Sequence, residues 1–355
     1  MTATNTSLIK KLLLLFLVFG GIYFAKPFLM PLCIGGILAT LFLPFCNWME
    51  AKKMPKWLAV LTCLITLQLM LAGLIVLIGF KVAELLNDVA LLKQKFGEIT
   101  TQLQRYIFDN VGISIAKQTE ILQQEHPSVK GIIQTVIASA TYIFTNLTFV
   151  FVYFLFLMYY RNHLKLFILQ LTKPANQTEV GHVITSAAKV SQQYLLGLSK
   201  MIFCLWVMYG IGFGILGLKS ALFFAILCGL LEAVPYVGNL TGSLLTLLVA
   251  ALHGASPSVL GGIVLVYGLV QVIQGWVLEP LILGAHVKIN GLFTILALVL
   301  GELLWGIPGI VLAIPITAIF KIICDHIEPL KPYGFLIGGT KSYKMKGRLF
   351  FGAKP

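Results

Sequence analysis

Long apolar runs dominate the chain and predict a series of membrane-spanning helices. A helix needs about 20 mostly apolar residues to cross the hydrocarbon core of a bilayer. Runs of about that size, nearly free of charge, recur as far as residue 325 and are separated by polar connections. The single spans that they predict are 8–25, 27–46, 57–80, 132–160, 201–218 and 259–278.

Two further apolar stretches, 220–252 and 289–324, are too long for one upright helix. The first is interrupted at Glu232–Asn239, and the second at Glu302–Gly309 and again at Pro315. Each is therefore predicted to be a broken helix or a re-entrant hairpin, and the sequence leaves both forms open. The 70 residues between Glu232 and Glu302 also allow the two stretches to be duplicated elements.

The polar stretch between the third and fourth spans predicts an amphipathic helical arm. Its apolar residues alternate in spacings of three and four, which is the pattern of a heptad seam: Val82, Leu85, Val89, Leu92, Phe96, Ile99, Leu103 and Tyr106. Such a seam favours packing on a neighbouring subunit. An arm that folds back on its own chain or lies on the lipid surface is the alternative.

Composition excludes a soluble protein, because only 11% of the residues are charged, 58% are hydrophobic and the mean hydropathy is +0.93. Soluble domains contain roughly 25% charged residues. The net charge of +13 does not indicate nucleic acid, since no soluble basic surface accompanies it. The stretch from Lys81 to Lys130 has six basic and six acidic residues, so the positive excess lies elsewhere. By the positive-inside rule, both termini are predicted to be cytoplasmic and the arm extracytoplasmic, in a multi-pass protein of the inner membrane.

The predicted fold class is thus an all-α integral membrane protein with about eight transmembrane segments, two of them broken or re-entrant, and an extracytoplasmic arm. Its predicted regions are the first three spans (1–80), the arm (81–131), the fourth span (132–160), cytoplasmic interfacial helices (161–200), a transport core (201–325) and a basic tail (326–355).

Three glutamates in or beside the apolar stretches are the strongest functional candidates. A charge at the bilayer centre costs about 3 kcal/mol on insertion scales, so such residues usually line water or bind protons and ions. Glu232 and Glu302 each lie beside a helix break, whereas Glu279 precedes Pro280 at the end of a span. An interfacial carboxylate that reaches the headgroups is the alternative, and it is favoured for Glu279.

Helix-breaking residues complete the candidate transport pathway. The backbone groups that they free must face protein, water or solute, and half-helix ends offer partial charges to a solute. Kinks needed only for packing are the alternative, and GxxxG spacing such as that of Gly238 and Gly242 favours close helix contact. The candidates are Glu232, Pro235, Tyr236, Gly238, Asn239, Glu279, Pro280, Gly284, His286, Glu302, Gly306, Pro308, Gly309 and Pro315.

Sequence signals for an enzyme are missing. There is no HExxH, GxSxG or Walker pattern and no carboxylate pair at catalytic spacing, so no catalytic residue, cofactor or metal is predicted. The GxGxxG match at Gly212–Gly217 lies inside an apolar span with no preceding strand, which excludes a dinucleotide site. The six cysteines have no metal-site spacing and are interpreted as apolar core residues.

Several local motifs resemble those of the autoinducer-2 exporter family of permeases, over about residues 8–330. The similar elements are Tyr194–Gly197 (Tyr-Leu-x-Gly), Pro235–Gly238 (Pro-Tyr-Val-Gly), Glu279–Gly284 (Glu/Thr-Pro-x-x-x-Gly) and the closing Leu304–Gly309 with Leu312–Pro315. The chain departs from the family pattern at Ile289-Asn290-Gly291, where the family usually has a proline.

The resemblance implies about eight membrane segments and export of small polar solutes or ions, and some members resemble sodium/proton antiporters. We therefore expect a secondary transporter of a small polar solute or signalling molecule in which Glu232 or Glu302 takes up a proton or a sodium ion. Its partners would be the lipid bilayer, the solute and further copies of the chain bound through the arm. The alternatives are a monovalent cation/proton antiporter, an oligomeric passive pore and a scaffold protein.

Overall fold

A computed structural model of the chain describes residues 3–87, 129–234, 237–283 and 289–339, with a few isolated positions between 101 and 114. Within these ranges the regular elements are helices, and one β-bridge pairs Ile289 with Gly338. The predicted all-α class is confirmed. The helices are α1 (Ala3–Phe24), α2 (Lys26–Ala51), α3 (Lys56–Asn87), α4 (Val129–Gln170), α5 (Gln177–Ile215), α6 (Ala221–Leu231), α7 (Val237–Leu252), α8 (Pro257–Ile273), α9 (Gly291–Trp305), α10 (Ile307–His326) and α11 (Lys331–Ile337).

Six of the described helical segments are long and apolar enough to cross a membrane: Lys26–Ala51, Lys56–Phe80, Phe144–Gln170, Pro174–Ile215, Pro257–Ile282 and Ile307–His326. Large apolar side chains cover the outside of the bundle, and those of Phe24, Ile215 and Trp276 are each more than 80% exposed. So much exposed apolar surface is suited to lipid rather than water. The long apolar helices and their exposed apolar surface confirm the predicted helical membrane protein.

The predicted arm lies almost entirely outside the described residues. α3 continues past the end of its predicted span to Asn87, and α4 begins at Val129. The seam residues from Val89 to Ile99, with Leu103 and Tyr106, fall between these helices and outside the description. The arm therefore stays a prediction.

α5 is one continuous helix where the sequence analysis separates interfacial helices from a span that begins at 201. Its 39 residues extend about 58 Å, roughly twice the thickness of the hydrocarbon core. No proline interrupts it, and its buried residues follow one stripe at intervals of four: Gly197, Met201, Leu205, Tyr209 and Phe213. Because the stripe continues through residue 200, one rigid helix joins the membrane core to the region beyond its end.

α5 is the central helix of the bundle. It packs against α2, α4, α6, α8 and α10. A second core lies between α2, α3 and α4, where Cys46, Cys63 and Phe154 are fully buried. Cys63 is an interior core residue, as the sequence analysis interprets it, whereas the thiol of Cys46 also donates to Oε1 of Glu50 at 3.6 Å.

An ion pair joins the end of α2 to Arg161 of α4. The Nη2 atom of Arg161 donates to Oε2 of Glu50 at 2.5 Å and to Oδ1 of Asn47 at 3.3 Å. Arg161 is the basic residue that follows the aromatic end of the fourth predicted span, and Glu50 precedes the lysine-rich turn after the second. The pair therefore places the ends of these two predicted spans on the same side of the bundle, although α4 itself continues to Gln170.

The 220–252 stretch forms a helical hairpin. α6 and α7 are about 16 Å and 24 Å long, so each is shorter than the roughly 30 Å hydrocarbon core. They pack side by side: Gly242 lies against Cys228, and a side chain at Gly238 would overlap the carbonyl of Leu231. The glycines at this GxxxG spacing thus allow α7 to approach α6 closely.

The 289–324 stretch forms a second hairpin with a one-residue turn. Gly306 separates α9 from α10 at φ 69° and ψ −145°, a conformation that L side chains rarely adopt. Its N–H donates to the carbonyl of Glu302 at 2.7 Å. Gly301 and Gly309 then meet so closely that a Cβ on either would overlap the backbone of the other.

The carboxy-terminal α11 folds back to the open end of this second hairpin. Asn290 caps α9 by accepting from the N–H of Phe293 at 2.9 Å, and its Nδ2 donates to the carbonyl of Leu336 at 2.7 Å. Asn290, in the middle of the Ile289-Asn290-Gly291 segment that departs from the family pattern, is thus a helix cap. The hydrogen bond with Glu328 raises the pKa of Lys331 at the start of α11, and the charge of Glu179 on α5 adds to this.

We expect Gly309→Ala to destabilise the protein by about 1–3 kcal/mol, because the added methyl group overlaps the carbonyl of Gly301 and forces the second hairpin apart. The midpoint of thermal unfolding in detergent measures the effect. Gly268→Ala on α8 is the matched control, since a Cβ there meets no atom within 4 Å. Equal midpoints for the two variants would contradict the close contact.

Candidate transport site

A buried polar network lies where α5, the turn of the first hairpin and the end of α8 meet. It consists of Tyr209, Glu232, Asn239 and Gln274, and none of the four is more than 6% exposed. Tyr209 belongs to the buried stripe of α5, Glu232 directly follows α6, Asn239 lies in the first turn of α7, and Gln274 follows α8. Four separate segments therefore supply one polar cluster inside an apolar bundle.

The four side chains form a continuous hydrogen-bond chain. The hydroxyl of Tyr209 donates to Oδ1 of Asn239 at 2.5 Å. Asn239 Nδ2 donates to Oε1 of Gln274 at 3.2 Å, and Gln274 Nε2 donates to Oε1 of Glu232 at 2.5 Å. Every donor points toward Glu232, so the chain ends on the one carboxylate of the network.

Two buried oxygens at this site have no hydrogen-bond partner among the described residues. They are Oε2 of Glu232 and the hydroxyl oxygen of Ser243, which lies one turn after Asn239 on α7. A buried oxygen without a partner is costly and commonly marks an ion, water or functional role. The free carboxylate oxygen is suited to a proton or a cation.

A π-helix begins at Gln274. α8 continues without a break into a π-helical segment, Gln274–Leu283, which contains Pro280. Proline has no N–H and disrupts α-helical hydrogen bonding. π-helical turns are rare in proteins, and those that occur are often found at functional sites. The wider turn lets the chain pass Pro280, which the sequence analysis takes as the end of a span, and it begins at the residue that contacts Glu232.

The predicted site residues fall into separate parts of the structure. Glu232, Gly238 and Asn239 lie together at the turn of the first hairpin. Glu279 and Pro280 are exposed on the π-helical segment, although Glu279 is close enough for its charge to act on Glu232. Pro235, Tyr236, Gly284 and His286 are outside the described residues.

The remaining candidates, Glu302, Gly306, Pro308, Gly309 and Pro315, all belong to the second hairpin. The side chain of Glu302 is exposed on α9, whereas Gly309 and Pro315 are buried by packing. Beside this turn, Trp305 packs with Met30 and Leu312, and its indole N–H donates to the carbonyl of Ile22 at 3.2 Å. The second break thus contacts α1 and α2 and is not joined to the polar network by any described hydrogen bond.

Comparison with protein families identifies the chain. A model of the AI-2E family of transporters matches residues 12–328. The chain belongs to the AI-2E transporter family.

Curated relatives of this AI-2E protein bear names that agree with the family. "Putative transport protein YueF" of Bacillus subtilis is 26% identical over 319 residues, which are 84% of each chain. "Putative transport protein YrrI" of the same organism is 23% identical over 85% of this chain and 87% of its own. "Putative transport protein YhhT" of Escherichia coli is 23% identical over 94% and 95%. The protein is therefore a membrane transporter.

Tyr209 and Gln274 are the residues of the AI-2E protein's network that the sequence analysis missed. Both lie in spans that it treats as plain, 201–218 and 259–278. A glutamine inside an otherwise apolar span is a signal, because an amide in hydrocarbon favours a partner on another helix. Gln68 and Gln271 carry the same signal, so it could not have singled out Gln274 or its partner.

We expect Asn239→Leu to destabilise this AI-2E protein by roughly 1–3 kcal/mol. The change leaves the Tyr209 hydroxyl without its acceptor and the Gln274 carbonyl without its donor, both in a buried place. Thermal unfolding in detergent measures it. Gln68→Leu replaces an exposed amide on α3 and should change stability by no more than about 0.5 kcal/mol. An unfolding midpoint of Asn239→Leu equal to that of the original protein would argue against the network.

Proposed function

We propose that the protein is a secondary transporter of a small polar solute and that its coupling ion binds at Glu232. The observation that supports this is a buried carboxylate, 6% exposed, with one oxygen that has no hydrogen-bond partner among the described residues. It lies at the break between two half-length helices. Ion and substrate sites of secondary transporters commonly lie at such discontinuous helices.

Glu232, rather than Glu302, is the coupling residue in this proposal. The sequence treats the two alike, since each precedes a helix break. In the structure Glu232 ends a buried chain of hydrogen bonds, whereas the side chain of Glu302 is exposed on the surface of α9. An exposed carboxylate without a polar enclosure gives little selectivity for an ion, while a buried and oriented one can couple its occupancy to the packing of the hairpin.

The surroundings of the transporter follow from the same proposal. We place it in the inner membrane with both termini in the cytoplasm, because the lysine-rich turn after α2 lies on the same side as Arg161 of α4. Export is the direction that the family name favours. We also propose that copies of the chain associate through the 81–131 arm. The protein has no enzymatic activity in this proposal.

The proposal predicts gradient-driven flux that depends on Glu232. Purified protein in liposomes is tested with a panel of small polar metabolites and monovalent cations, with and without a proton or sodium gradient. Glu232→Gln keeps the size of the side chain and removes its charge, so coupled flux should fall at least about 100-fold, as for loss of an essential charged group.

Glu302→Gln is the matched control and should keep flux within about twofold of the original protein. Equal amounts of inserted protein and equal unfolding midpoints must accompany both variants. Normal coupled flux in Glu232→Gln would refute the proposal. Flux that is the same with and without a proton or sodium gradient would instead support a passive pore.

A further inference from the structure

The hydrogen-bond chain that ends at Glu232 runs in one direction. Tyr209 donates to Asn239, Asn239 to Gln274, and Gln274 to Oε1 of Glu232. Hydrogen bonds aligned in this way strengthen one another in a buried site. Oε1 is therefore committed as an acceptor, and the other oxygen, Oε2, is the one without a partner among the described residues.

Gln274 is the member of the chain that controls the orientation of the carboxylate. It is 2% exposed and contacts Glu232 at 2.5 Å, and its carbonyl is fixed in turn by Asn239. Its backbone continues α8, because its N–H donates to the carbonyl of Val270, and the π-helix begins at the same residue. The rare helical geometry and the buried contact thus coincide at one residue.

We propose that Gln274 is a positioning residue that holds one oxygen of Glu232 and leaves the other to bind a proton, so that the site takes a proton rather than a metal cation. This rests on the proposed function, in which Glu232 takes up the coupling ion. It adds the identity of the ion and the residue that orients its acceptor.

The number of open oxygens favours a proton. Hard metal cations in proteins take about six oxygen ligands or more. Among the side-chain oxygens of the described part of the site, those of Asn239 and Gln274 already accept hydrogen bonds, and the buried ones without a partner are Oε2 of Glu232 and the hydroxyl of Ser243. A proton needs one acceptor atom, which Oε2 supplies. The described residues also contain no cluster of three histidine, cysteine or acidic side chains.

Three other titratable groups of the described residues face the site from the elements around it. Tyr209 approaches from α5, Cys228 from α6 and Glu279 from the π-helical segment. None of them contacts Glu232 directly in the described hydrogen bonds. The titration of Glu232 is therefore expected to respond first to the amide of Gln274.

Carbodiimide labelling tests this without any transport substrate. A hydrophobic carbodiimide reacts with a protonated carboxyl group in the membrane, so the labelling rate of Glu232, followed by mass spectrometry in liposomes, should fall as the pH rises. Gln274→Met fills the same space and removes the donor to the anion. The midpoint of its pH profile should move up by about one to two pH units.

Two further variants separate positioning from general loosening. Tyr209→Phe removes only the far end of the chain and should move the midpoint in the same direction by less. Gln271→Met is the matched control one turn before Gln274, where the amide donates to Tyr267 at 3.2 Å outside the network, and it should leave the midpoint unchanged. A variant that merely loosens the bundle admits water to the carboxyl group, so it should raise the plateau rate and move the midpoint down rather than up.

Adding sodium during the labelling shows whether Glu232 binds a proton or a sodium ion. At constant pH and ionic strength, replacing choline with sodium should leave the labelling rate of Glu232 unchanged. Protection by sodium would overturn the assignment to a proton, and an unmoved midpoint in Gln274→Met would overturn the role of Gln274. Because the readout is chemical labelling, a pH-dependent profile with no solute flux would reject the proposed transport while keeping the proton site.

Discussion

A carboxylate inside a helical membrane bundle requires partners from the same protein, since hydrocarbon supplies neither water nor counterions. That requirement explains why four segments converge on Glu232. The amide of Gln274 donates to Glu232 from the end of α8, Asn239 donates to Gln274 from the first turn of α7, and Tyr209 donates to Asn239 from α5. The position of the first hairpin against α5 and α8 is thus constrained by polar contacts as well as by packing.

Glycine contacts and the polar network serve different purposes in the two hairpins. Both hairpins are closed by glycines, Gly238 in the first and Gly301 with Gly309 in the second, because only a missing side chain lets the paired helices come so close. The first adds buried polar groups to that contact. The second adds Trp305 and apolar contacts with α1 and α2. The first hairpin can therefore respond to an ion, while the second fixes its helices to the amino-terminal helices.

The sequence was sufficient for the features that depend on local pattern. Apolar runs predicted the helical class, and proline and glycine beside Glu232 and Glu302 predicted that both long stretches are interrupted. It did not separate the two glutamates, since burial depends on which helices pack around each turn. Gln274 was missed because its partner Glu232 is 42 residues away. The continuity of α5 was missed because its charged amino-terminal half suggested a separate interfacial helix.

The length of α5 connects the candidate site to the region outside the membrane. Its buried stripe includes Tyr209 of the network and continues back through Met201 and Gly197 toward the half of the helix that extends beyond a single span. α10 packs against the same helix, and α11 closes back onto α10. A helix without a proline or a turn moves as one body, so a shift of Tyr209 on a change at Glu232 would also displace the contacts of α5 with α10. α5 therefore connects the proposed ion site to the carboxy-terminal hairpin by packing, although the two hairpins share no described polar contact.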